Sequence, residues 1–204
     1  LKKSCYPKKI LMNNKDLQYN IYVNNNFHSV YSWNKLYKSS FIKDFNFKYI
    51  HDFYEDIFFS FMELNYSNKV ILLPGITHNY LIRENSITNV EPTYEKLNVF
   101  LENKELISKN FNNKKSIVNY CCEINIFIMT YIMIVRDGYK SSLISQAKRN
   151  ELLKGAFKTP YIPLVYIPKI LISKKFKLIL LLIIKMLSFN LNMTLVKLYH
   201  IYKN

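Results

Sequence analysis

The 204-residue chain contains only three glycines, Gly75, Gly138 and Gly155, and this scarcity limits what it can form more than any other feature. Loops that cradle phosphate need several glycines within a few residues, because their backbone turns sharply and approaches the ligand closely. The three glycines here lie far apart in the sequence. A Walker loop and a dinucleotide-binding fingerprint are therefore excluded.

Composition favours a folded protein over a disordered one, since half of the residues are apolar or aromatic. The formal charge of +15 would ordinarily suggest nucleic acid as a partner. However, the lysines are scattered among Asn, Ile, Tyr and Phe, as AT-rich coding DNA would produce without selection for a ligand. Anionic lipid and phosphate-bearing substrates remain as alternatives. No zinc-finger, RNA-recognition or helix-turn-helix signature is present, so we expect no nucleic-acid partner.

Residues 1 to 89 are predicted to mix strands and helices. Residues 1 to 28 look extended or irregular, and residues 29 to 41 are expected to form the start of a helix that packs Trp33, Leu36 and Tyr37 against a sheet. A second helix is predicted for the segment YEDIFFSFMELN, with Ile57, Phe61 and Leu64 at helical spacing. Strands are predicted over 69 to 74 and 76 to 83.

Beyond residue 90 the pattern becomes helical, with helices expected over 91 to 109, 114 to 136 and 140 to 154. This shift predicts a boundary near Asn89, a helical subdomain over 90 to 159 and a basic amphipathic tail over 160 to 204. The apolar run in 114 to 136 has the appearance of a membrane span. Its polar residues, Asn119, Glu123 and Asn125, favour a buried helix of a small bundle. The tail either lies on an anionic bilayer or packs on the domain.

Three segments follow one another between Tyr31 and Thr88: SWNKLYKSSFI at 32 to 42, FNFKYIHDFYEDIFF at 45 to 59 and KVILLPGITHNYLIRENSIT at 69 to 88. Their order and spacing resemble the second half of the catalytic domain of bacterial family 2 glycosyltransferases. That half carries a W-x-K-hydrophobic-Tyr segment, an E-D-hydrophobic-x-F motif and a Y-x-x-R-x-x-S-I turn. The resemblance implies a partial GT-A (nucleotide-diphospho-sugar transferase) fold of the α/β class, followed by a helical C-terminal region.

The resemblance also implies roles for individual residues. An inverting transfer needs a carboxylate to take the proton from the attacking acceptor hydroxyl, and Asp56 is the candidate base with Glu55 as its neighbour. The resemblance implies that five further residues contact the sugar or the diphosphate of the substrate. These residues are Trp33, Lys35, His78, Arg83 and Ser86. Taken alone, the two acidic residues also suit the first turn of any helix, Trp33 suits a core and His78 suits a structural role.

The first half of the family's domain ends in an Asp-x-Asp pair that binds Mn²⁺ or Mg²⁺ together with the donor diphosphate. No Asp-x-Asp occurs in these 204 residues, and no metal ligands are predicted. We therefore expect a fragment or truncated form, which the absence of an initial Met and of an early strand with a glycine turn also suggests. It would carry the acceptor side over residues 1 to 89 and be inactive by itself.

The implied partners are a nucleotide-sugar donor and a glycan or lipid-linked acceptor, in polysaccharide or cell-surface glycan synthesis. A cytoplasmic location is expected, with peripheral contact at the inner face of the cell membrane through the tail. The alternative from another class is a non-catalytic membrane-surface or interaction protein derived from such an enzyme.

Overall fold

The computed structural model describes residues 10–23, 31, 33, 35–73, 90–111, 116–138, 140–158 and 160. The chain divides into two units, Leu1–Asn89 and Val90–Asn204. This division falls where the sequence changes from mixed to helical composition. The tail predicted over 160 to 204 lies outside the described residues, apart from Pro160.

The first unit brings together two strands that are far apart in sequence. Strand β1, Ile10–Asn13, pairs antiparallel with β2, Lys69–Leu72, in a register that places Leu11 opposite Ile71. Helix α1, Asn14–Gln18, follows β1 directly and continues as a π-helical turn, Tyr19–Val23. The side-chain amide of Gln18 donates a hydrogen bond of 2.9 Å to the carbonyl oxygen of Leu64, which ties α1 to the next long helix.

That helix is α3, Glu55–Tyr66, and it confirms the helix predicted from the spacing of Ile57, Phe61 and Leu64. All three side chains are buried, since residues three or four apart lie on the same side of a helix. Its residue Phe59 also contacts an aromatic cluster from the preceding segment, with Phe47 at a ring-centroid distance of 5.6 Å. Burial of these rings stabilises the first unit.

The helix expected to begin with residues 29 to 41 is wrong in position, because the helix described there, the short α2, Ser39–Asp44, covers only the end of that segment. Residues 35 to 38 precede it without helical structure. Leu36 is 98% exposed rather than packed on a sheet. Alternate side chains of an extended segment point to opposite sides, so Lys35 and Tyr37 face the protein while Leu36 faces solvent.

The second unit contains the three helices expected from the sequence: α4, Tyr94–Phe111, α5, Ile117–Met133, and α6, Gln146–Phe157. A π-helical turn, Ile134–Gly138, continues α5. Ser116 and Ser145 cap α5 and α6 by accepting hydrogen bonds from backbone N–H groups of their first turns. The helices meet in an apolar core whose most buried members include Leu97, Phe100, Ile124, Phe127, Leu152 and Leu153.

Lys104 joins α4 to the end of α6. Its ammonium donates hydrogen bonds to the carbonyl oxygens of Gly155 at 2.8 Å and Lys158 at 2.9 Å. The carbonyl oxygen of Gly155 also accepts the backbone N–H of Lys158, and a cation suits this position because the last carbonyls of a helix point toward its C-terminal end. Burial, with a smaller effect from Lys158, lowers the pKa of Lys104 to about 8.

The segment Ile117–Gly138 is 22 residues long and apolar enough to cross a membrane by length and composition. Its most apolar window is 56% buried within the protein, and the core helix of a water-soluble protein passes the same test. Asn119 and Thr130 are buried on it, and the hydroxyl of Thr130 donates to the carbonyl oxygen of Phe100 at 3.3 Å.

The described part is mostly helical, and the two antiparallel strands form its sheet. The partial GT-A fold implied by the motifs stays a prediction, since the second strand expected over 76 to 83 lies outside the described residues.

Candidate functional site

The first turn of α3 carries the two carboxylates that the motif resemblance selects. Glu55 and Asp56 are the first two residues of the helix, and Tyr54 before them has a left-handed backbone (φ 50°, ψ 32°) and makes no side-chain cap. Negative charge is favoured at this end of a helix, because the first backbone N–H groups point toward it. The start of α3 therefore suits acidic side chains for a local reason as well as for the proposed chemistry.

Asp56 is partly buried, and its environment changes its acidity. Burial raises the pKa of the Asp56 carboxyl above its usual range, and the negative charge of Glu55 raises it further. The backbone N–H of Asp56 and the positive charge of Lys35 act in the opposite direction on that pKa. A carboxylate with a raised pKa accepts a proton more readily than an exposed one, which is the property that a general base requires.

A buried polar cluster lies two turns further along α3. The ammonium of Lys35 forms an ion pair of 2.8 Å with Oε2 of Glu63 and donates a hydrogen bond of 3.2 Å to Oγ of Ser60. The Tyr37 hydroxyl donates to the same Glu63 oxygen at 2.8 Å. The Lys35 and Glu63 side chains are only 12% and 9% exposed. We call these four residues the Lys35–Glu63 cluster.

The cluster and the candidate base share one side of α3. Asp56, Ser60 and Glu63 are spaced by four and seven residues, so their side chains lie along one face of the helix. Lys35 comes from the extended segment beside this face, and its charge acts on both Asp56 and Glu63. Burial and the neighbouring Glu63 raise the pKa of the Tyr37 hydroxyl, which therefore stays protonated and keeps donating at neutral pH.

The motif residue Lys35 was expected to meet a diphosphate. A diphosphate would have to compete with Glu63 for the ammonium, so that substrate role stays a prediction. The indole of Trp33 stacks on the ring of Tyr31, with ring centroids 4.6 Å apart and an interplanar angle of 10°. This stack leaves the expected sugar contact of Trp33 a prediction as well. His78, Arg83 and Ser86 lie outside the described residues.

Three members of the cluster were missed by the sequence reasoning: Tyr37 as a hydrogen-bond donor, Ser60 and Glu63. A signal for two of them was present, because Ser60 and Glu63 interrupt the apolar run of α3 at helical spacing from Asp56. Nothing local indicated their partner, since Lys35 lies 28 residues from Glu63 in the sequence.

No group of three or more His, Cys, Asp and Glu side chains in the described part of the chain is arranged to hold a metal ion. The divalent metal expected for the full-length family therefore has no identified ligands in that part. Comparisons with models of protein families, with curated proteins and with solved structures find no match to this chain.

Proposed function

We propose that this chain supplies the acceptor side of an inverting glycosyltransferase that moves a sugar from a nucleotide-sugar donor to a glycan or lipid-linked acceptor. The observation that carries the proposal is Asp56, a partly buried carboxyl at the start of α3 whose raised pKa suits a general base. It lies within the order of motifs that resembles the family. Glu55 beside it raises the basicity of Asp56 and is available to bind the sugar.

The surroundings of Asp56 support the same role. The Lys35–Glu63 cluster joins the motif segment that contains Trp33 to the face of α3 that carries Asp56. A base must be held in a defined position relative to the acceptor hydroxyl, and buried ion pairs with several hydrogen bonds give such definition. Arg83, Ser86 and His78 complete the proposed substrate contacts.

The donor side of the reaction needs groups that these residues do not provide. The 204 residues contain no Asp-x-Asp pair, which in the family binds Mn²⁺ or Mg²⁺ with the donor diphosphate. We propose that a partner chain or an additional segment contributes this half, and that the chain alone transfers no sugar. The proposed location is the cytoplasmic face of the cell membrane, in polysaccharide or cell-surface glycan synthesis.

The test is a transfer assay with radiolabelled nucleotide sugars and Mn²⁺ or Mg²⁺, performed on the chain alone and on the chain joined to the segment encoded immediately upstream. We expect transfer only from the joined protein. Asp56→Asn should lower kcat by about 10²- to 10⁴-fold, because the acceptor hydroxyl loses its base. Asp52→Asn, an exposed aspartate four residues earlier, is the matched control and should leave kcat unchanged. Equal activity of the Asp56→Asn protein would remove the base assignment, and turnover by the chain alone would remove the need for a second half.

A measurement on the chain itself probes the base independently of transfer. NMR titration of the Asp56 carboxyl should give a pKa above that of an ordinary aspartate, and Glu55→Gln should lower this pKa because a repelling charge is gone. An Asp56 pKa in the ordinary range, unmoved by Glu55→Gln, would contradict the electrostatic description of the site.

A second candidate function is a non-catalytic protein that binds a membrane surface. The apolar segment Ile117–Gly138 is the structural observation in its favour. Absence of transfer by the joined protein, together with binding of the chain to vesicles, would favour this function over the first.

A further inference from the structure

An open groove lies between α3 and the segment that follows α2. Its volume is about 190 Å³. Apolar side chains provide most of its lining, and six of them are Phe45, Phe47, Ile50, Phe58, Phe59 and Met62. Of these, Phe47 and Phe59 are buried, whereas Phe45 and Ile50 are 42% and 44% exposed. An exposed apolar concavity can remove a hydrocarbon group from water.

The groove has one polar part. Asn46 and Lys48 also line it, both are exposed, and Lys48 is the single charged residue of the lining. The remaining lining offers almost no hydrogen-bonding groups for the hydroxyls of a sugar ring. A ligand that buried a sugar here would leave most of its polar groups unpaired, which is costly. The lining therefore favours hydrocarbon in the groove and a negatively charged group at Lys48.

The size of the groove and the charges near it further limit which ligands can bind there. A volume of about 190 Å³ is below the roughly 300–1,000 Å³ of ordinary ligand pockets, so the groove holds one end of a chain rather than a whole large molecule. Glu55 lies one turn before Phe58 and Phe59 on the same side of α3. Its carboxylate would repel an anion at that end, which directs the anionic group to Lys48.

We propose that this groove binds a single-chain anionic amphiphile, with its hydrocarbon chain between Ile50 and Met62 and its charged group at Lys48. The proposal goes beyond the proposed function, because binding needs neither a sugar donor nor transfer. A failure of this site would leave the role of Asp56 untouched, and a failure of Asp56 in catalysis would leave this site untouched.

Dodecyl phosphate is the test ligand, titrated below its critical micelle concentration into the full chain with ¹³C-labelled Met and Ile methyl groups. We expect saturable shifts of the Met62 and Ile50 methyl signals. Inorganic phosphate should cause no such shifts, and dodecanol should bind at least about tenfold more weakly, because it lacks the charge that Lys48 meets.

Two variants locate the site. Ile50→Asp should weaken dodecyl phosphate binding by about tenfold or more, and Lys48→Glu should do the same, since each places a negative charge in the groove. Leu36→Asp is the matched control, an apolar residue of an exposed loop outside the groove, and should bind as the parent protein does. Circular dichroism shows whether each variant is folded.

The proposal is overturned if dodecyl phosphate shifts neither methyl signal, if dodecanol binds equally well, or if inorganic phosphate alone reproduces the shifts. It is also overturned if folded Ile50→Asp binds as tightly as the control. If Ile50→Asp and Lys48→Glu lose dodecyl phosphate binding and Leu36→Asp keeps it, the groove is the binding site.

Discussion

At the scale of single residues, the Lys35–Glu63 cluster links the extended segment before α2 to helix α3. Removing two charges from water is costly, and their mutual attraction offsets this cost only where further hydrogen bonds complete the pair. Ser60 and Tyr37 provide those bonds. Glu63 accepts from both Lys35 and Tyr37, so its removal takes away the acceptor that these two side chains share.

We expect Glu63→Leu to lower the free energy of unfolding by about 2–4 kcal/mol, because the Lys35 ammonium and the Tyr37 hydroxyl lose their acceptor. The double variant Lys35→Met with Glu63→Leu should lose much less than the sum of the two single changes. Urea denaturation of the three variants measures the coupling.

An exposed ion pair gives the comparison. Lys148 and Glu95 lie 3.6 Å apart with side chains 52% and 67% exposed, so Glu95→Leu should lower the free energy of unfolding much less than Glu63→Leu does. If the double variant Lys35→Met with Glu63→Leu lost as much free energy of unfolding as the two single variants together, Lys35 and Glu63 would not stabilise one another.

At the scale of secondary-structure elements, α5 carries a carboxyl in an apolar setting. Burial raises the pKa of Glu123 to about 7, from an ordinary value of 4.5. Below pH 4.5 the carboxyl is protonated in both the folded and the unfolded chain, and burial then carries no charge penalty. As the pH rises toward 7 the unfolded chain loses this proton first, so the contribution of Glu123 to stability falls over that interval.

Glu123→Gln should therefore stabilise the protein at pH 8 and have no effect on stability at pH 4. We expect a gain of about 1 kcal/mol at pH 8, a value reduced to allow for the partial exposure of the side chain. Denaturation midpoints of the variant and the parent protein across this pH range provide the measurement. Glu102→Gln on the exposed side of α4 is the control and should change stability little at either pH. A gain that is equal at pH 4 and pH 8 would show that it does not come from the charge of Glu123.

At the scale of the whole molecule, the formal charge of +15 is the dominant property. A cationic protein is attracted to anionic lipid, and lysines near the surface contribute about 1 kcal/mol each. Lys174, Lys175 and Lys177 concentrate charge beside the apolar run of the C-terminal tail. Membrane binding could depend on this local concentration of charge or on the overall charge. Variants that change the same number of charges in different places distinguish these two explanations.

We expect the full chain to float with anionic vesicles at low salt and to dissociate as salt rises, because charge attraction is screened. Lys174→Glu, Lys175→Glu and Lys177→Glu together should abolish flotation. The control changes the same number of charges elsewhere, at the exposed residues Lys15, Lys38 and Lys43, and should retain flotation. Equal loss in both triple variants would assign binding to overall charge rather than to the tail.

The sequence by itself determined the helices whose buried faces follow from local spacing. Ile57, Phe61 and Leu64 predict α3 because residues three and four apart share a side of a helix, and the change to a helical pattern beyond residue 90 predicted α4, α5 and α6. The change from mixed to helical composition placed the boundary near Asn89, where the two units divide. Glu55 and Asp56 at the start of α3 were also found from local pattern.

Tertiary structure alone decided the contacts between residues distant along the chain. The stretch before α2 carries apolar residues at near-helical spacing, yet it is extended because Lys35 and Tyr37 both bond to Glu63. Residues 1 to 28 were expected to be extended or irregular, but no pairing was predicted for them, and β1 forms because Ile10–Asn13 pairs with Lys69–Leu72. The spacing of apolar residues predicts which side of a helix or strand is buried. It does not predict these pairings, because they depend on which distant residues the folded chain brings together.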